Sequence, residues 1–101
     1  MTDLEGPRQR VTDWNAIAAG LRRLGEEGRP PSEAARWMMR EMGDDFRVFP
    51  LMVQFFRAYH VSVRSLRELE VWEGLGTGGR LTDTELDAIL GPLTVRETPL
   101  S

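Results

Sequence analysis

The stretch GLGTGG carries a literal G-x-G-x-x-G at Gly74, Gly76 and Gly79, with a helix expected shortly after it. Glycines so spaced let backbone amides approach a pyrophosphate at a helix N-terminus. The surrounding chain argues against that use. The segment before the loop reads as helix rather than strand, and the chain is too short for a doubly wound sheet. The helix behind the loop opens with Asp83, Glu85 and Asp87, whose charge repels phosphate. These glycines are read as a flexible connector.

His60 is the sole histidine. An imidazole can serve as general base, proton shuttle or metal ligand. Ser62, two residues away, is poorly placed to form a dyad with it. The carboxylates of Asp44, Asp45, Glu68 and Glu70 show no ligand-like spacing. A histidine at a helix C-terminus is explained by the negative end of the dipole. Asp83 and Asp87 stand at i and i+4 and share a face, as an acid/base pair or a cation site would require. Their place in the first turns of a capped helix accounts for them electrostatically.

The chain has no cysteine and no lysine; its thirteen basic residues are all arginines. That excludes disulfides, thiolate zinc sites, thiol nucleophiles, Schiff-base chemistry and a phosphate-binding Walker lysine. The sequence reads as a non-enzyme with no catalytic residue, no metal and no cofactor.

The elements that must position these groups come next. At 101 residues, with 41% hydrophobic and 29% charged side chains, the chain matches one ordinary globular domain. No apolar run approaches the roughly 18 residues of a membrane span, so a cytoplasmic protein is expected. Residues 1–11 read as a flexible leader, 12–93 as the helical domain and 94–101 as a flexible tail.

Trp14, Ile17, Ala18, Leu21 and Leu24 form one apolar helical stripe, capped by Thr12 or Asp13 and stopped at Gly28. Ser32 is the expected N-cap of a second helix whose stripe is Ala35, Met38, Met39 and Met42, ending at Gly43. Pro50 should occupy the first position of a third helix running to Tyr59, the most apolar segment and therefore the central one. Ser62 caps a fourth, reaching about Glu73, with Val63, Leu66, Leu69 and either Val71 or Trp72 inward; a short strand at 69–72 is the alternative. Thr82 and Glu85 form a capping box, Leu81 and Leu86 a hydrophobic staple, and Leu86, Ile89 and Leu90 face inward in the last helix. The expected fold class is all-α: a single compact domain of about five short helices with flexible termini.

Three functional classes remain. The first is a small acidic protein-interaction domain: an adaptor, an inhibitor, or an antitoxin or immunity-type protein that masks a protein partner. Its contact residues would be Trp37, Tyr59, His60, Arg64, Arg67 and Trp72, with carboxylates meeting a basic partner. The second is a helix-turn-helix regulator built on the 51–69 hairpin, with Arg57, Arg64 and Arg67 on phosphates. A net charge of −3 and the acids Glu68, Glu70 and Glu73 weigh against nucleic acid. The third is a small-molecule binder or enzyme using the 74–79 glycine loop and His60.

Overall fold

The computed structural model describes residues 13–97. The expected leader and the last residues of the expected tail lie outside the described residues. Five α-helices and no named strand are present among those described: α1 Trp14–Glu26, α2 Pro31–Met42, α3 Val48–Ala58, α4 Val63–Leu66 and α5 Asp83–Leu90. Short 3-10 turns at Gly43–Asp45, Arg67–Val71 and Glu73–Leu75 complete the path.

Local chemistry explains most boundaries. The Asp13 side chain accepts from the Ala16 amide at 3.1 Å, satisfying a donor that the first turn of α1 would leave unpaired. The expected start of α2 is corrected. Pro30 is its N-cap and Pro31 its first residue, and Pro30 offers no side-chain cap. Ser32 is not the cap but receives one, because its amide donates to Asp87 of α5 at 2.7 Å. Pro50 lies in the third position of α3 rather than the first, so the chain turns into the helix slightly earlier. All the opening positions lack intrahelical partners for their N–H groups, so a proline is tolerated there. The fourth helix is also shorter than expected. Ser62 caps it, accepting from the Ser65 amide, but after Leu66 the chain tightens into 3-10 geometry. The strand alternative shrinks to one parallel bridge between Trp72 and Leu81.

Packing is circular. The hairpin of α1 and α2 is flanked by α3 on α1 and α5 on α2, and α4 bridges α3 to α5. The ring encloses Leu21, Met38, Leu51, Phe55, Leu69 and Leu86, with Tyr59 and Trp72 as the largest fully buried rings. Gly20 sets the α1–α2 approach, because a Cβ there would sit 2.1 Å from Cη2 of Trp37.

Tyr59 holds three parts together. Its ring meets Phe55 edge-to-face at 5.1 Å, its hydroxyl donates to the Leu21 carbonyl of α1, and its backbone bridges Val95. Burial pushes its phenol far above the ordinary value. The expected tail is therefore corrected at 94–97. His60 N donates to Thr94 O at 2.8 Å and Arg96 N to Ala58 O at 2.9 Å, while Arg96 Nε donates to Phe56 O at 2.8 Å. An arginine on the last carbonyls of α3 satisfies acceptors that the helix end leaves open and suits its negative pole.

Tyr59→Ala should lower stability by about 3–5 kcal/mol through the cavity it leaves. Tyr59→Phe, which removes only the hydroxyl bond, should cost about 1 kcal/mol. Urea unfolding followed by circular dichroism measures both.

Candidate interaction surface

The six residues expected at a contact surface do not form one. Tyr59 and Trp72 are fully buried, which corrects their reading as exposed anchors: large aromatics that can pair their polar atom internally contribute more to the core than to solvent. Trp37 is half-buried against Gly20 of α1. His60, Arg64 and Arg67 are exposed. His60 stands beside Arg96, whose Nη1 lies 3.4 Å from its Nδ1.

The acids of α5 also have structural work. Trp72 Nε1 donates to Asp83 Oδ1 at 2.8 Å, and Arg36 of α2 reaches Oδ1 and Oδ2 of the same carboxylate at 2.8 and 3.0 Å. The Arg36 guanidinium also lies over the Trp72 ring, 5.0 Å from its centroid. One turn later Asp87 accepts from the amide and the hydroxyl of Ser32. The i, i+4 pair is thus a clamp between α5 and α2. Its oxygens are engaged by protein donors, which answers the acid/base and cation readings. Among the described residues no group of three or more potential metal ligands gathers at a point.

The glycine loop is closed rather than cradle-like. Leu81 N donates to Val71 O at 2.9 Å and Glu73 N to Leu81 O at 2.8 Å, drawing the two ends together. A Cβ on Gly79 would come 2.3 Å from the Val71 carbonyl oxygen, so this glycine is required by backbone contact. Behind the loop, the capping box of Thr82 and Glu85 occupies the start of α5. Nor does the 51–69 hairpin present a reading helix. α4 has 4 residues, and Glu68 and Glu70 occupy the 3-10 turn that follows.

What the structure does expose is the outer side of α3. Leu51, Phe55 and Ala58 are buried, whereas Phe49 is 69% exposed. Met52, Val53 and Phe56 are half-buried and fall at i+3, i+4 and i+7 from Phe49, forming a second apolar stripe opposite the first. α3, expected to be central, packs on α1 and α4; Val48, Met52 and Phe56 lie partly buried against the core, and Phe49 is the residue left outward. Three other residues expected inward are exposed as well: Trp14 at 38%, Val63 at 59% and Ile89 at 39%. Of the alternatives Val71 and Trp72, it is Trp72 that turns in.

The sequence reading missed Phe49, Met52 and Val53 as a surface. The available signal was an apolar pattern that runs around α3 instead of along one side. Such a pattern fits a buried helix and an interaction helix equally, and the neighbours decide between them. No protein-family model, curated protein or solved structure matches the chain.

The clamp predicts a pH dependence. The Trp72 hydrogen bond lowers the pKa of Asp83; partial burial opposes this, and Arg36 adds a further lowering. A folded value below the unfolded one, about 3.9, contributes stability above that pH and loses it as pH falls through the folded value. Asp83→Asn should be less stable than the parent at pH 7, and the gap should close on acidification below about pH 4. Urea midpoints measured across that range test this; a gap independent of pH would remove Asp83 ionisation from the stability of the fold.

Proposed function

We propose that this protein is a non-catalytic interaction domain that works by covering, or being covered by, a protein partner on the outer face of α3. The observation that carries the reading is the second apolar stripe, led by the 69% exposed ring of Phe49. Exposing a phenylalanine forgoes about 1.5–3 kcal/mol of burial free energy, and contiguous apolar exposure rimmed by charge marks a contact site. The stripe spans two helical turns, with Met52, Val53 and Phe56 half-buried beside the exposed ring of Phe49. An adaptor, an inhibitor and an antitoxin or immunity-type protein all require such a face and nothing further from the fold. Among the described residues no helix is long and apolar enough to cross a membrane, so none competes as a bilayer segment for the role of apolar surface.

Capture from the native host with nuclease present tests the reading, comparing the parent with the double variant Phe49→Glu, Val53→Glu. The parent should retain one protein partner at about 0.15 M salt, where exposed charges are well screened. The double variant should lose that partner while keeping the parent's helical spectrum. Equal capture by both proteins would move the contact away from α3. Nucleic acid that disappears with nuclease, and no protein, would replace the reading with the regulator alternative.

A further inference from the structure

The partner's chemistry can be taken further, on the footing that the α3 face is the contact. From Phe46 to Arg67 the chain carries four arginines and no aspartate or glutamate, within a protein of net charge −3. This acid-free segment comprises α3 and α4, the helix that packs beside it. The fold extends the same sign along the other flank. Arg96 lays its guanidinium over the outward ring of Phe56, 5.0 Å from the centroid, and reaches toward His60. Arg22 of α1 reaches the backbone carbonyls of Arg96 and Glu97. Among the described residues Arg22, Arg64, Arg67 and Arg96 form no ion pair with a carboxylate. Among the described residues acids approach at both ends of the face, and Glu97 lines a groove with His60 and Arg96. Asp44 and Asp45 precede Phe46, and Glu70 lines a small groove with Arg47 and Val48.

We infer that the outer face of α3 docks an acidic amphipathic helix of a partner protein. The stripe Phe49, Met52, Val53, Phe56 has the i, i+3, i+4, i+7 spacing that receives one face of another helix. Two isolated bridges are the only strand-like pairings among the described residues, so no sheet edge is offered to an extended peptide. Carboxylates flanking the partner's apolar stripe would meet the arginine margin, which steers encounter and fixes orientation. The sign is opposite to the one suggested by overall composition. The protein's acids at Asp83 and Asp87 are already engaged by Arg36, Trp72 and Ser32, whereas positive charge borders the exposed apolar face. An anionic bilayer would also be attracted to the margin, and vesicle binding distinguishes it from a helix.

The test uses the full chain and a fluorescent synthetic helix of about 18 residues, with leucine along one face and glutamate on the other. Its control carries lysine in place of every glutamate. The glutamate peptide should saturate below about 100 μM, and more weakly as salt rises from about 0.05 to 0.5 M. Phe49→Ser, at an exposed position, should weaken it about tenfold or more without altering the helical spectrum. The lysine peptide should not bind. Absence of binding by the glutamate peptide, equal binding of both peptides, or indifference to Phe49→Ser each overturns the inference. So does Phe49-dependent binding to phosphatidylserine vesicles in place of the peptide. A concentration-dependent dimer abolished by Phe49→Ser would assign the face to a second copy instead. The two proposals fail separately. A host partner lost with the Phe49 and Val53 substitutions, together with no affinity for the glutamate peptide, keeps the interaction reading and removes the acidic helix. Saturable, Phe49-dependent peptide binding with capture unaffected by those substitutions does the reverse.

Discussion

The indole N–H of Trp72 is the polar atom on which the closure of the ring depends. Trp72 is fully buried, and an indole nitrogen shut away from water must find an acceptor. It finds Asp83, in the first turn of α5, and Asp83 is held in turn by Arg36 of α2. One carboxylate therefore registers the 3-10 segment, α5 and α2 against each other. A turn further on, Asp87 takes the amide of Ser32 and supplies the N-terminal cap that the Pro30-Pro31 start of α2 cannot provide for itself. The docking of α5 is thus specified by direction-dependent bonds as well as by burial of Leu86 and Leu90. Apolar contact alone would allow a short helix several rotations; two carboxylates on one face allow far fewer.

Much of this architecture was legible in the sequence. The apolar stripes of α1 and α2, the stop at Gly43 and the capping box at Thr82 and Glu85 are local signals, and local signals survive into the fold. Misplaced features were those decided by a distant part of the chain. Ser32 looks like a cap because its type suits one, yet a carboxylate 55 residues away takes the amide. Tyr59 and Trp72 have the side chains of an interaction hot spot and equally those of a core. Their hydroxyl and N–H partners, Leu21 O and Asp83 Oδ1, come from α1 and α5. Spacing along the chain carries no information about those partners.

The same limit hid the candidate surface. A helix apolar on every side implies enclosure when enough neighbours exist to cover it. The five helices of this chain surround the core once, leaving α3 with a packed side and an outward side. Segment 94–97 crosses the C-terminal end of α3 and brings Arg96 over Phe56, whereas in the first turn Phe49 is left exposed. His60, Arg64 and Arg67 were legible as polar groups and are exposed; what the sequence did not carry was the outward position of Phe49.

Charge and apolar exposure are coupled in this arrangement. An uncharged apolar face of this kind would invite indiscriminate association, including with other copies of the chain. Arg96 places a charge over Phe56 on the outward side, while the acids keep the molecule negative overall. That division is feasible because Asp83 and Asp87 are committed to the α5–α2 junction, across the ring from α3. Carboxylates used there stabilise the closed ring through Arg36, Trp72 and Ser32. The clamp thus fixes α5 on α2 through Asp83 and Asp87, while Arg96 lies at the other side of the ring, over Phe56 of α3.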